Sequence, residues 1–453
     1  MVCRPSGGTG VKRLVIEKLI DVPKLPAFFQ EQTLSRLSQA LTAVHELRPV
    51  EFSKESLYSA VKDLCTHKLA ARAFVALKEQ CSTYLMSSSR HLERSFKTED
   101  SASFLLTVEK MWSSHCTQMR SIRDIYLYLD RTYVMQETDS KSIWELGLTL
   151  FRTVALQDSS IVSGIVNGIL MQVERERDGV TISRSLLQNL IRMMSELEIY
   201  KTAFEGHLLE QSEVYYQRQG AERISSNISV YLAFVEKKLK EERDRVSHYL
   251  EHSTSKVLLG LVHQHLVTQH AGAMLRGGFE ELMNRSATED LHLLFHLFQQ
   301  TKQLNALKMA FNGYVKEVGL RIVMDTQKEG SMIADLLAYK RNIDAIHRSS
   351  FEKNEDFAHS QKEAFELFLN HRPNKPAELI AKFLDATLRQ GHKTHSEAEL
   401  EDLLDEVVAI FRSIQGKDIF QGHYRNVSKL PLLQCSRSHI GSILQLDCSW
   451  KAL

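Results

Sequence analysis

What most restricts the fold of this chain is an absence: between Pro49 and Pro373 lie 323 residues without a proline. Proline in a helix interior removes a hydrogen bond and clashes with the preceding turn, so such a stretch favours helix after helix. Periodicity agrees. In YLAFVEKKLKEERDRVSHYL, apolar Leu232, Val235, Leu239, Val246 and Leu250 recur at steps of three, four or seven, with charge between them. LLDEVVAIF (403–411) and EAFELFL (363–369) repeat the habit. No run of alternating strands joined by Gly-rich hairpins appears. The pattern predicts an all-α protein. Its helices are broken at QETDSKS (136–142), RDGVT (177–181) and QKEGS (327–331). No internal repeat period is visible, so periodicity alone gives a solenoid or a bundle.

Where proline returns, in HRPNKPAELIAKFLD (371–385), residues 371–375 interrupt one helix and Pro376 suits the first turn of the next. Charge sets a second limit. The 57 basic and 56 acidic side chains nearly cancel, which argues against a field built for nucleic acid or a membrane surface. Six cysteines without a C-x-x-C pair read as free thiols of the cytoplasm or nucleus. The N-terminus has no apolar signal-peptide core, and IVSGIVNGILM (161–171) is too short and polar to span a bilayer.

No phosphate-binding loop, dinucleotide fingerprint or nucleophile elbow is present, so no catalytic residue and no cofactor are expected. His292 and His296 have the i,i+4 spacing of a helical metal pair, but their immediate neighbours are leucine and phenylalanine, which favours core or boundary histidines. His263 and His265 point to different sides of a helix. The mixed-charge run KKLKEERDR (237–245) reads as a solvated helix face. One region has more apolar surface than a single face needs. Leu105, Val108, Trp112, His115 and Met119 form one stripe; Met111, Ile122, Ile125 and Leu129 form another. Such a helix is either buried all round or keeps one stripe for a partner. SKESLYSAVKDLCTHKL (53–69) poses the same question, with Ser53 as cap, Leu57, Val61 and Leu64 as core stripe, and Tyr58 beside it.

KRLVIEKLIDVPKLP (12–26), LYSAVKDLC (57–65), IYLYLDRTYV (125–134), SIWELGLTLFR (142–152), IVNGILMQVERERDG (165–179) and NKPAELIAKFLD together resemble the cullin family, and within it the cullin-4 branch. The resemblance implies an elongated helical solenoid of three stacked five-helix repeats (27–150, 151–270, 271–405). A 1–26 arm precedes them. The start of an incomplete C-terminal bundle (406–424) and a divergent tail (425–453) follow. It also implies a non-catalytic scaffold of a RING-type ubiquitin ligase in the cytoplasm and nucleus. Its partner would be the triple-propeller damage-specific DNA-binding protein adaptor and, through it, substrate receptors, with no direct nucleic-acid or membrane contact. Adaptor contacts carried over are Leu14, Val15 and Ile16 on the arm and Leu57, Tyr58 and Val61 on the second helix. Trp112, His115 and Met119 would follow on the fifth.

The family pattern fades after IFRSIQGKDIF (410–420), and Pro431 falls where the family keeps a basic helix, a position costing about 3 kcal/mol in a helix interior. RING-box binding is therefore expected to be lost, and Val407, Val408, Ile410 and Phe411 are expected to lack their helical partners. A helical tether unrelated to ubiquitin is the rival reading, and a helical metalloenzyme at His292 and His296 the weakest.

Overall fold

The computed structural model describes residues 26–137, 142–394, 397–417 and 420. Every regular element among them is helical and none is a strand, as the missing prolines and the helical periodicity lead one to expect. Helix starts are set by side chains that satisfy otherwise orphaned N–H groups. Ser53 Oγ accepts from Ser56 N, Asp100 from Ala102 N and Ser103 N, and Asn354 from Asp356 N. The expected breaks hold as far as they are described: helices end at Glu137 and Arg177 and start at Ile143 and Met332. Gly179, at φ +90°, makes the turn after Arg177.

The described residues fall into two compact units. The first runs to Glu210 and takes in Arg245–Thr254. It contains α1 (Ala27–His45), α2 (Lys54–Thr66), α3 (Ala70–Thr98) and α4 (Ser101–Ile125). A fifth helical stretch, α5 (127–137), opens at Leu127–Leu129 and widens into a π-turn at Asp130–Val134. Then come α6 (Ile143–Leu150), α7 (Ser159–Arg177) and α8 (Arg184–Glu196). The core stripe of α3 is read directly from spacing: Ala73, Leu77, Cys81, Leu85 and Leu92 are all buried. IVSGIVNGILM lies in α7, where Ile161, Ile165, Val166 and Ile169 are core. No single described helix is long and apolar enough to cross a membrane.

The second unit comprises Gln211–Asp244 and the described residues from Ser255 onward. Its centre is aromatic. α9 (Thr288–Gln300), α10 (Leu304–Met324), α11 (Met332–Ser350) and α12 (Glu355–Leu369) surround Phe295, Phe311, Phe351 and Phe357, with ring centroids 4.6–5.8 Å apart. Pro376 sits in the first turn of Lys375–Thr394, as its sequence context predicts. The break before it is pinned: Asn370 Oδ1 accepts from Gln415 N (2.6 Å), and Arg372 donates to Val323 O (3.1 Å).

Two expectations are corrected. Residues 237–245 are not simply a solvated face, since Lys238, Glu242 and Arg245 are buried. Each charge has a partner, and for Glu242 and Arg245 it is one that sequence spacing does not show. Lys238 meets Glu241 at 2.8 Å, Tyr216 OH donates to Glu242, and Arg245 Nε reaches Glu176 at 2.9 Å. Nor are Val407, Ile410 and Phe411 without partners. All three are buried in the second core, with Val408 half-buried and the Phe411 ring 4.6 Å from Phe420. The tail from residue 421, Pro431 included, lies outside the described residues, as do Leu14, Val15 and Ile16.

Candidate functional site

The surplus apolar surface of the first unit is resolved residue by residue. Among the described residues Trp112, His115 and Met119 lie on the fourth helix, α4, not the fifth. The run from Ser101 to Ile125 is one uninterrupted helix capped by Asp100, and the chain breaks only at Tyr126. Trp112 is 7% exposed, His115 4% and Met119 1%. Their neighbours lie within the unit: the Trp112 and Phe151 rings meet edge-to-face at 5.0 Å, and His115 Nε2 bonds to Gly147 O at 3.1 Å. The absent side chain of Gly147 makes room for Met119. On the other stripe Ile122, Ile125 and Leu129 are buried and Met111 is half-buried. Both apolar stripes are thus covered within the unit, while Leu106, Lys110, Ser113, Thr117, Arg120 and Asp124 leave one face of the helix exposed.

α2 splits differently. Leu57 and Val61 are fully buried, whereas Tyr58 is half-buried and faces outward beside α5, its ring 6.3 Å from Tyr128 at 85°. Lys54 Nζ and Asp124 Oδ2, 3.2 Å apart, stand at one end of this face, and exposed Arg131 and Met135 lie along α5. The structure therefore brings α2 and α5 together as one surface and leaves the Trp112 cluster in the core. Sequence alone does not single out Tyr128, since five adjacent apolar residues do not reveal which are covered, nor Asp130, whose partner Ile143 lies 13 residues on. Buried Asp130 accepts from Ile143 N at 2.6 Å and stands 3.5 Å from Arg123 Nε. It thus ties the first turn of α5 to the start of α6.

Electrostatics in this region favour uncharged groups. Burial pushes the His115 imidazole down to about 4 and outweighs its bond to Gly147. It also lowers His45, which stacks on Tyr84 at 4.3 Å. The thiols of Cys81 and Cys116 are pushed up to about 12 and about 11 by burial, so neither is a ready thiolate. A groove of about 500 Å³ beside α4 is lined by Glu109, Arg120, Arg123, Trp144 and Arg192. Its charged rim is already engaged: Glu109 accepts from Asn189 and Arg192 pairs with Glu196. What the region offers chemically is a shaped surface.

Comparison with known proteins adds lineage to this geometry. The family described as the Cullin alpha solenoid domain matches residues 34–428. Human Cullin-4A is 39% identical over 424 residues, which are 93% of this chain and 56% of that protein. Cullin-4 of Dictyostelium discoideum is 36% identical over 431 residues, 94% of this chain and 54% of that one. Cullin-3 of the same organism is 32% identical over 438 residues, 94% and 56% respectively. The chain spans about half the length of the curated relatives it matches.

Proposed function

Because the chain belongs to the cullin family, we propose that it serves as the non-catalytic scaffold of a RING-type ubiquitin ligase and receives a substrate-receptor adaptor on its first unit. The observation that carries this reading is the outward face of α2 and α5, with paired Tyr58 and Tyr128 at its middle. Tyrosines at the centre of a surface, rimmed by charges such as Lys54, Asp124 and Arg131, have the make-up of a binding hot spot. The occupant is the triple-propeller adaptor that the cullin-4 resemblance implies. Leu57, Val61, Trp112, His115 and Met119 support the face from within, since side chains at 0–7% exposure meet no partner unless the helices part. Leu14, Val15 and Ile16 extend it through the arm. The three-repeat division at 27–150, 151–270 and 271–405 and residence in cytoplasm and nucleus belong to the same reading.

Calorimetry with purified adaptor tests it. Tyr58→Ala with Tyr128→Ala should weaken binding more than tenfold, each hot-spot tyrosine being worth about 2 kcal/mol, while helical content stays constant. Unchanged affinity would remove the face from the proposal. A pull-down with the 453-residue polypeptide, probed for RING-box protein, is expected to be negative, and retention of that protein would remove this part of the reading.

A further inference from the structure

His292 and His296 lie one turn apart on α9, and their rings meet at 4.4 Å. Their immediate neighbours in sequence are leucine and phenylalanine. The fold supplies a carboxylate from residue 352. Glu352 Oε1 stands 3.2 Å from His296 Nε2, and one ligand atom from each of His292, His296 and Glu352 lies within 4.8 Å of the other two. We propose that these three side chains form a site for a divalent transition-metal ion, Zn²⁺ by the chemistry of its donors.

The geometry fits that ion. Nitrogen and oxygen donors about 2.0–2.1 Å from a tetrahedral zinc stand about 3.3 Å apart, close to the observed separation of His296 and Glu352. His292 offers the third ligand atom within 4.8 Å of the other two. Two imidazoles and one carboxylate suit zinc better than calcium or magnesium, which favour all-oxygen shells. The outer contacts orient the donors as metal sites do. His292 Nδ1 lies 3.3 Å from Ser350 O, so a proton held there leaves Nε2 to bind metal.

The carboxylate is also held in place. Phe351 is fully buried, anchoring the turn, and Ser350 Oγ donates to Thr288 O at the start of α9 (2.9 Å). On the other side His347 Nε2 bonds to Asn354 O at 2.9 Å. Between these anchors Glu352 and Lys353 both adopt left-handed backbone, at φ +52° and +57°. That conformation is uncommon for such residues and aims Glu352 back at α9. All three donors are at least partly exposed, so an ion has access and a fourth position is open to water. The bound ion would tie α9 to the turn after α11.

Titrating the whole chain with Zn²⁺ in a calorimeter, and with Co²⁺ in a spectrophotometer, tests the site. We expect one ion per chain at micromolar affinity and the visible band of tetrahedral Co²⁺. His296→Ala and Glu352→Gly should each cost more than the roughly 10–100-fold typical of losing an outer-shell partner. Glycine tolerates the left-handed backbone at 352, so loss of binding there with melting temperature preserved is loss of a ligand and not of fold. His359→Ala is the control: it removes another His–Glu pair, 3.3 Å from Glu363, that belongs to no three-donor group among the described residues. Zinc binding that survives both His296→Ala and Glu352→Gly, or no uptake at millimolar metal, would overturn the proposal.

Discussion

His115 is buried against Phe151 with its Nε2 on Gly147 O, and burial holds it neutral with a pKa of about 4 in place of 6.5. A group whose folded pKa is depressed binds fewer protons folded than unfolded, so the stability it allows is complete above pH 6.5 and is lost as pH falls towards 4. At pH 5 the loss from this residue is about 2 kcal/mol, and the lowering of His45 acts in the same direction. Urea melts at pH 5 and pH 7.5 should show that slope. His115→Phe should flatten it while costing stability at pH 7.5, where Gly147 O loses its donor. Trp112 and Asp130 separate core from surface. Trp112→Ala is expected to cost about 3–5 kcal/mol of stability. Asp130→Ala should cost about 1.5–3 kcal/mol, because it leaves Ile143 N without its charged acceptor. Denaturation midpoints of the two variants beside Tyr58→Ala check the division, since Tyr58→Ala should fall well below both.

Two glycines on α10 show how an element's packing decides a sign. Gly313 has nothing within 4 Å of where a Cβ would stand, so Gly313→Ala should stabilise by about 0.5–1 kcal/mol through helix propensity alone. At Gly319 the same Cβ would overlap the ring of Phe368, which is fully buried and has no room to yield. Overpacking of that kind costs about 1–3 kcal/mol and outweighs the propensity gain; thermal melts of the two variants should move in opposite directions. Features that depend on neighbours in sequence were legible beforehand. Ser53 caps α2, Pro376 opens its helix, and Leu232, Val235 and Leu239 form a core stripe. What depends on distant neighbours was not. The break that ends α4 falls at Tyr126, with neither proline nor glycine to mark it, which is why Trp112 was assigned one helix too late. Buried Arg245 pairs with Glu176, distant in sequence, and the carboxylate beside His296 comes from the left-handed turn at 352.

At the scale of the whole molecule, a scaffold acts through effective concentration: it holds a substrate receptor and a conjugating enzyme close enough to raise their encounter rate, with no reactive side chain of its own. Protonated Cys81 and Cys116 and neutral His115 are consistent with that economy. If adaptor binds through α2 and α5, the 453-residue polypeptide competes for it with a complete cullin by mass action. Added in excess to a ligase reconstituted from adaptor, receptor, complete cullin and RING-box protein, it should slow substrate ubiquitination in proportion to the adaptor it occupies. Raising adaptor concentration should restore the rate. The Tyr58→Ala, Tyr128→Ala double variant should inhibit far less than the parent chain at equal concentration, because it removes the surface and leaves the core intact. Inhibition that the double variant reproduces in full would mean that adaptor is held elsewhere. Ubiquitination supported by the polypeptide in place of the complete cullin would show that these residues recruit RING-box protein by contacts outside the proposed face.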